Sequence, residues 1–363
     1  MFATFAGGYS RKPLPAQPDL LGDAELALRA GRVDDAGFEA VADDYVREIL
    51  AEMAVVELAI VGEGGVRSPD RVLPWIRGLE GLSVGGETTL PDGEPATRPV
   101  VLGPVRWTRP LTVRDWLFAD GETDLYVKQT MLGPYSLAAL ADPEPGPRRA
   151  NLALQFGEAI NQEIRALVGA GCAVVEIDEP MVLQAGDSAA EWASFRAAHG
   201  RLTAGVDDPS VLHLSLGLWG APIALAGHAP MIDLPYSSYL VDVLSGPSAW
   251  RFIGAVPAER GVVVGAADAH HEAMDETEVL VWAMAWAAQG RRGPERVGIA
   301  PNGSLASLGR HFAHRKCQRI SEAVNVARMG PLQDVAEALD ENPLRSRIRE
   351  LRDIAQAVES GRV

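Results

Sequence analysis

The sequence predicts an α/β fold, specifically a (β/α)8 TIM barrel, from three observations. The 363 residues are 47% hydrophobic and 23% charged, which is an ordinary globular composition. Amphipathic helical stretches alternate with short, apolar, β-branched runs that are typical of buried parallel strands. Eight such runs are present, and eight parallel strands close a barrel. The runs span residues 3–7, 56–62, 125–132, 173–177, 211–216, 231–234, 261–266 and 297–300.

Helical periodicity fills the intervals between these runs. The clearest case spans residues 149–170, where Leu152, Phe156, Ile160 and Ile164 recur on one face. Further helices are predicted at 35–53, 187–198, 275–289 and 305–328. The strand–helix alternation therefore runs through most of the chain, and residues 1–330 are predicted to form a single barrel domain.

Two segments depart from the strand–helix alternation. Residues 64–121 are too long for one connection, and the stretch ETTLPDGEPATRPVVLG carries a Pro-Asp-Gly turn between extended runs. This pattern predicts a hairpin excursion over one end of the barrel, after the second strand. Residues 331–363 predict a C-terminal helical extension of two helices, broken before Pro343. The extension is expected to cap the barrel, with a subunit contact as the alternative.

Charge and cysteine usage limit the partners. Lys and Arg total 33 against 49 Asp and Glu, a net charge of −16. Such a surface repels phosphate backbones and anionic lipids, which argues against nucleic-acid and membrane partners. Two cysteines cannot build a disulfide framework, and neither a signal peptide nor an apolar run of membrane-spanning length is read. We expect a cytoplasmic protein with a small-molecule substrate; a homo-oligomer is compatible with the sequence.

Polar residues collect where the predicted strands end, which is where barrel enzymes place their chemistry. Acids and imidazoles at these positions predict an enzyme that binds a sugar or an acid. Structural alternatives remain open, because strand-end carboxylates also cap helices and lone histidines also lie in cores. The strand-end residues are Gly7, Gly8, Glu63, Gly133, Asp178, Glu179, His213, Ser215, Asp233, Tyr236, Asp268, His270, His271 and Asn302.

Six ordered motifs connect these positions to a known family. The most specific is Val175-Glu-Ile-Asp-Glu-Pro180, which is close to "IQIDEP". The others are the opening segment 5–13, residues 58–63 with Arg67 and Asp70 beyond, residues 127–134, residues 267–270 and residues 300–305. Together they resemble the catalytic, C-terminal barrel of the cobalamin-independent methionine synthases, within the superfamily that also contains the uroporphyrinogen decarboxylases.

The resemblance implies methyl transfer from methyltetrahydrofolate to a zinc-bound homocysteine thiolate. The family binds zinc through a His-x-Cys pair, a Glu after the next strand and a later Cys. Here the pair reads His213-Leu214-Ser215, the Glu position falls near Pro235, and the last Cys falls on Gly303. One ligand of four remains, which cannot hold zinc tightly, so no metal site is predicted. The family's pterin-stacking tryptophan is also missing from residues 135–141, so no folate and no other cofactor is predicted.

Other family features are retained. Glu63 and Asp178 resemble the carboxylates that bind the substrate ammonium group, and His270 resembles the proton donor. We therefore expect a methionine-synthase-like transferase repurposed without zinc, acting on a small amino-acid-like metabolite by acid–base or group-transfer chemistry. The predicted catalytic residues are His270, Asp268 and Glu179. The predicted substrate-binding residues are Glu63, Asp178, His213, Ser215, Lys128, Tyr236 and Asn302.

Two alternative functions stay open. The first is a methyl or alkyl transferase of the family type, using a folate or another methyl donor, which works without zinc or with a site rebuilt from His213, His270 and Asp233. The second is a non-catalytic pseudoenzyme that binds a ligand without turnover.

Overall fold

A computed structural model describes residues 1–289 and 291–329, so the predicted extension at 331–363 lies outside the described residues. The strands are β1 (Phe2–Ala3), β2 (Ile60–Val61), β3 (Glu80–Thr89), β4 (Pro95–Arg106), β5 (Tyr126–Val127), β6 (Gln129–Leu132), β7 (Val174–Asp178), β8 (His213–Leu218), β9 (Ser238–Asp242), β10 (Gly261–Ala267) and β11 (Val297–Pro301).

Eleven α-helices lie in the described ranges: α1 (Leu20–Arg29), α2 (Asp35–Val55), α3 (Leu73–Gly78), α4 (Val113–Gly121), α5 (Pro134–Ala141), α6 (Pro147–Ala170), α7 (Ala189–Thr203), α8 (His228–Ile232), α9 (Pro247–Ala255), α10 (Thr277–Ala287) and α11 (Arg310–Arg328). The five helices predicted from periodicity correspond to α2, α6, α7, α10 and α11. None of the helices in residues 1–289 and 291–329 combines the length and apolarity needed to cross a membrane.

The parallel strands surround a common core as a barrel. Seven of them form one sheet in the order β1-β11-β10-β9-β8-β7-β6, and β2 pairs with β5. Two backbone hydrogen bonds complete the circuit: Ala59 N donates to Ala3 O at 3.0 Å, and Lys128 N donates to Val61 O at 2.8 Å. Because β5 runs into β6 after one residue, eight strand positions encircle the core, and the predicted (β/α)8 barrel is confirmed.

One predicted strand is wrong. The apolar run 231–234 lies at the end of helix α8, and the barrel strand is β9, a few residues later. An apolar run of four residues fits a buried helix as well as a strand. The side chains of Tyr239, Leu240 and Val241 in β9 are fully buried. The correction moves the carboxyl end of this strand to Asp242.

The predicted hairpin is present as β3 and β4, which pair antiparallel from Glu80–Arg106 to Thr89–Pro95. Its turn spans Leu90–Glu94, where Leu90 N donates to Glu94 O at 2.9 Å. Gly93 takes the left-handed conformation there, with φ +88°, which glycine adopts without steric strain. The turn reaches the carboxyl end of the barrel, since the Cβ of Asp92 lies 3.2 Å from the position that a Cβ on Gly220 would take.

Candidate functional site

An Arg–Asp pair lies at the carboxyl end of the barrel. Asp178 ends β7 with its side chain fully buried, and its Oδ2 forms an ion pair with Arg71 Nη2. Arg71 comes from the loop between β2 and α3. Its guanidinium carbon lies 5.1 Å from the ring centre of Trp219, which follows β8 and is completely buried. The indole face and the carboxylate together fix the direction of the guanidinium.

Gly217 leaves room for this pair. It is the register partner of Asp178 in the neighbouring strand β8. A Cβ added at Gly217 would overlap Oδ1 of Asp178 and would lie 3.2 Å from the indole nitrogen of Trp219. Any larger residue at this position would therefore displace the Asp178 carboxylate.

The hairpin turn adds a second carboxyl group to the site. Glu94 Oε1 accepts a hydrogen bond from the Ser304 hydroxyl at 3.4 Å, and Glu94 N donates to Asp92 Oδ1 at 3.0 Å. Burial, with Asp92 and Asp178 nearby, raises the pKa of Glu94 to about 7, although Arg71 opposes the shift. A carboxyl group with this pKa exchanges a proton near neutral pH, as acid–base residues do.

Within residues 1–289 and 291–329, four buried polar atoms of this cluster have no hydrogen-bond partner. The donors are Arg71 Nη1 and Trp219 Nε1, and the acceptors are Asp178 Oδ1 and Glu94 Oε2. Most buried polar groups in proteins are hydrogen-bonded, since an unmet group loses its water without compensation. Their concentration at the barrel mouth indicates a place where a polar ligand or water completes the bonding.

A cavity of about 100 Å³ adjoins the cluster, between the loops that follow β1, β2 and β6. Glu63, Ser68 and Arg71 are among its lining residues. Glu63 Oε2 and the Ser68 hydroxyl have no hydrogen-bond partner there. Burial and the neighbouring Asp115 raise the pKa of Glu63 to about 7, while Arg67 opposes the shift.

Arg67 lines the same cavity and forms ion pairs with a cluster of carboxylates. Its Nη1 lies 2.7 Å from Glu39, and its Nη2 lies 2.7 Å from Asp43. Its Nε lies 3.3 Å from Asp115 but 3.8 Å from Glu63. Arg67 therefore pairs closely with Glu39, Asp43 and Asp115, and only at 3.8 Å with Glu63, whose Oε2 accepts no hydrogen bond from the described residues.

His270 lies at the mouth as the sequence predicts, with an exposed side chain. Its Cε1 and Nε2 are both 3.6 Å from the position that a Cβ on Gly303 would take. Asp268, however, contacts the ring of His271 at 2.7 Å and accepts the backbone N–H of His270 at 2.8 Å. Burial alone would raise the pKa of Asp268, but these two hydrogen bonds lower it overall. Asp268 therefore orients the ring of His271, and not that of His270.

Asn302 also lies at the carboxyl end, where it links two strands. Its Oδ1 accepts from Ala269 N at 2.8 Å, and its Nδ2 donates to Asp242 Oδ1 at 3.2 Å. Burial raises the pKa of Asp242. Oδ1 of Asp242 also accepts hydrogen bonds from the backbone amides of Leu244 and Ser245, at 2.9 and 3.1 Å. Asp242 is thus the carboxylate at the end of β9, the strand after β8. The sequence alone places the carboxylate of this strand near Pro235.

Glu179 has a different environment from the expected catalytic one. Its side chain is fully buried and accepts from Tyr135 N at 2.9 Å, Ser136 N at 2.8 Å and the Ser136 hydroxyl at 2.6 Å. It thereby satisfies amides in the first turn of α5, where a negative charge is favourable. His199 Nε2 lies 2.8 Å from the same carboxylate, and His199 Nδ1 lies 2.5 Å from the hydroxyl of Tyr236. Glu179 and Tyr236 therefore form a buried structural network.

Two other predicted substrate contacts, His213 and Ser215, lie away from the mouth, whereas Lys128 lines the cavity. His213 is the first residue of β8, at the amino end of the barrel, where its Nε2 lies 2.8 Å from the Ser238 hydroxyl and burial lowers its pKa. Ser215 is buried within the same strand. Lys128 is buried too, and its Nζ donates to Phe5 O at 2.6 Å and to Glu176 at 2.8 Å. The expected strand-end position of His213 is wrong, because β8 extends beyond residue 216.

The donor set does not fit zinc. Among residues 1–289 and 291–329, no three His, Cys, Asp or Glu side chains are grouped so that they could hold a metal ion. Cys172 and Cys317 are buried in the core, and Asp233 is largely exposed, 3.7 Å from Arg196. A structural zinc site needs four ligands and a catalytic one three. The absence of zinc and folate from the working protein stays a prediction.

Sequence reasoning missed the central residues of the site: Arg71, Glu94, Trp219 and Asp242. Arg71 and Glu94 lie in loops, and Asp178 is 107 positions from Arg71. One signal was available for Glu94, since it directly follows the Pro-Asp-Gly turn of a segment expected to cover a barrel end. Asp242 was missed because its strand was misplaced.

The raised pKa values predict a pH-dependent stability. Glu63 and Glu94 have an ordinary pKa of 4.5 and a folded value of about 7. Their contribution to folding is complete below about pH 4.5 and is lost as the pH rises through 7, because the folded state resists ionisation. We expect Glu94→Gln to remove up to about 3 kcal/mol of this loss. Urea unfolding of both proteins between about pH 5 and pH 8 measures this difference in stability. If the stability of Glu94→Gln changed with pH in parallel with that of wild type, the prediction would be wrong. Glu87→Gln, exposed on the hairpin, is the control.

Similar proteins in other organisms identify the family. The family model "Cobalamin-independent synthase, Catalytic domain" matches residues 20–203. The chain is 23% identical over 328 residues to a methionine synthase of Sulfurisphaera tokodaii, covering 90% of this chain and 92% of the relative. It is 30% identical over 201 residues to a 5-methyltetrahydropteroyltriglutamate–homocysteine methyltransferase of Streptomyces griseus, covering 52% of this chain and 26% of that protein.

Solved structures agree in fold. A B12-independent methionine synthase from Shewanella sp. W3-18-1, in complex with selenomethionine, superposes with a TM-score of 0.70 at 16% identity, covering 90% of this chain and 97% of that one. A putative vitamin-B12-independent methionine synthase from Listeria monocytogenes gives 0.68 at 14% identity, with the same coverage. Since the family model spans half of the sequence and the match to the Sulfurisphaera tokodaii relative covers 90% of it, the chain belongs to the cobalamin-independent synthase catalytic-domain family.

Proposed function

We propose that this protein is a methionine-synthase-like enzyme that works without zinc on a small amino-acid-like metabolite, by group transfer or acid–base chemistry. One observation carries the proposal. In the described part of the chain, the cavity of about 100 Å³ is lined by Glu63, whose Oε2 accepts no hydrogen bond, and by Arg71, whose Nη1 donates none. A zwitterion with an ammonium group and a carboxylate satisfies both atoms at once.

The proposed roles follow from position. Glu63 binds the ammonium group, because its carboxylate is partly desolvated and lies at the cavity wall. His270 exchanges protons with the substrate, since its ring is exposed at the mouth and makes no side-chain hydrogen bond that would hold it elsewhere in the described part of the chain. Asp178 positions Arg71 in this scheme, because its Oδ2 is ion-paired with Arg71 Nη2.

Calorimetric titration with a panel of amino acids that includes L-methionine and L-homocysteine tests the proposal. We expect at least one to bind, and Glu63→Gln to weaken it about tenfold or more, since a hydrogen bond to a charged group contributes about 1.5–3 kcal/mol. Glu87→Gln, which changes an exposed carboxylate, should bind as wild type does. Absence of binding by every amino acid in the panel would reject the proposal.

The names of the relatives support a second candidate, which is methyl transfer to a thiol. That chemistry uses zinc to form the thiolate in the family, and the described donor set does not fit zinc. Metal analysis of freshly purified, tag-free protein separates the two candidates. We expect far less than one zinc per chain, even after incubation with zinc; one zinc per chain would favour the second.

A further inference from the structure

We propose that Arg71 is the specificity-determining residue of the site: its free Nη1 binds a carboxylate group of the substrate, Asp178 positions it, and Glu94 keeps its proton beside the bound anion. The inference deepens the proposed function and rests on it, since it names the group that the enzyme requires. It assigns the central charge recognition to an anion and not to a cation.

The geometry of Arg71 carries the first step. Asp178 engages Nη2, while Nη1 is buried without a partner and Arg71 lines the cavity. The indole of Trp219 lies against the guanidinium, with 5.1 Å from its carbon to the ring centre. A guanidinium held on one edge and one face presents its remaining N–H groups in a fixed direction. The Arg71 side chain is therefore already ordered before the ligand binds, and binding loses little of its conformational entropy.

Asp178 follows as a positioning residue. Its carboxylate is fully buried and its Oδ2 pairs with a cation that belongs to the protein, so a substrate ammonium group could use both carboxylate oxygens only by displacing Arg71. Displacement would leave a buried guanidinium without its counter-ion, which is strongly unfavourable. An incoming carboxylate needs no displacement, because it uses the nitrogen that Asp178 leaves free.

The charges around Glu94 determine how binding couples to protons. Arg71, Asp92 and Asp178 are the charged groups that face it, and the Ser304 hydroxyl donates to its Oε1. A bound carboxylate adds negative charge and competes for Arg71, so the neutral form of Glu94 becomes more favourable. Its carboxyl O–H then donates towards the anion. Binding of an anion should therefore draw protons from the buffer, whereas binding of a cation should release them.

Calorimetric titrations near pH 7, in two buffers with different ionisation enthalpies, measure this proton exchange. The probes are L-methionine, its counterpart without the ammonium group, 4-(methylthio)butanoate, and its counterpart without the carboxylate, 3-(methylthio)propylamine. We expect 4-(methylthio)butanoate to bind with uptake of up to about half a proton, since Glu94 is about half ionised at that pH. Glu94→Gln should bind the same probe with clearly less uptake, because the amide still donates and only Glu63, with a pKa of about 7, remains nearby to gain a proton.

Variants of Arg71 complete the test. Arg71→Met should lower the affinity for 4-(methylthio)butanoate at least tenfold, whereas Arg77→Met, an exposed arginine on α3, should not change it. Circular dichroism and the unchanged binding of 3-(methylthio)propylamine at Glu63 would show that Arg71→Met is folded. Arg71→Lys should restore part of the affinity.

The outcomes separate this inference from the proposed function. If L-methionine binds but 4-(methylthio)butanoate does not, or if the latter binds without proton uptake or with full affinity to Arg71→Met, the inference fails and the proposed function stands. If none of the three probes binds and the amino-acid panel is also negative, both fail.

Discussion

Replacing Asp178 with alanine is expected to lower the free energy of unfolding by about 3–5 kcal/mol, the usual effect of removing one partner from a buried ion pair. The Asp178 side chain is fully buried and that of Arg71 is 11% exposed, so the orphaned guanidinium cannot turn to water without moving its loop. Urea unfolding at neutral pH measures the change.

A second variant separates the charge effect from the cavity effect. Arg71→Met combined with Asp178→Leu removes both charges and retains apolar volume, and its stability should return most of the way to wild type. Asp120→Ala on α4, where the side chain is exposed, should change stability by less than about 0.5 kcal/mol. If Asp178→Ala were as stable as this control, Arg71 would have another partner and the site geometry would be incorrect.

Replacing Glu179 with alanine is expected to lower the free energy of unfolding by about 4 kcal/mol. The substitution leaves the amides of Tyr135 and Ser136 and the ring of His199 without their acceptor, and each buried unmet group contributes about 1–3 kcal/mol. Thermal unfolding should show a clear drop in Tm. Glu179→Gln should lose less, because it keeps one carbonyl oxygen.

Ligand binding distinguishes this structural role from the catalytic role expected from the sequence. Glu179→Gln, once folded, should bind the amino-acid probes with wild-type affinity, because its carboxyl group faces helix α5 and not the cavity. Glu144→Ala, an exposed carboxylate after α5, is the matched control for stability. A stable Glu179→Ala variant that no longer binds the probes would restore Glu179 to the site.

The sequence contained enough information for most of the fold. Buried strands of parallel sheets are continuous apolar runs, so β10 and β11 stand out from the helices around them, and β7 departs from this pattern only at Glu176 and Asp178. Strand β9 was not predicted, because the short helix α8 before it carries an apolar run of similar length, which predicts a strand equally well. Nothing local separates the two; only the pairing of β9 with β8 and β10 does.

The site was less predictable, for a physical reason. Glu63, Asp178 and His270 follow strands, and the barrel topology brings such positions to one end whatever the loops do. The residues that pair with them come from loops and from the hairpin. Arg71 reaches Asp178 from a loop, and Glu94 arrives at the end of a hairpin. Long-range pairs of this kind leave no spacing pattern, so the sequence could show a carboxylate at Asp178 but not that an arginine already occupies it.

Gly217 restricts the amino-acid substitutions by which this site can evolve. Because any side chain there would overlap the Asp178 carboxylate, substitutions at the two positions are not independent. A side chain at residue 217 requires the Asp178 carboxylate to move, and the Arg71–Asp178 pair in its present geometry requires glycine there. The order of mutations is therefore constrained, and single-residue exchange with related barrels at Gly217 should fail where a coordinated triple exchange succeeds.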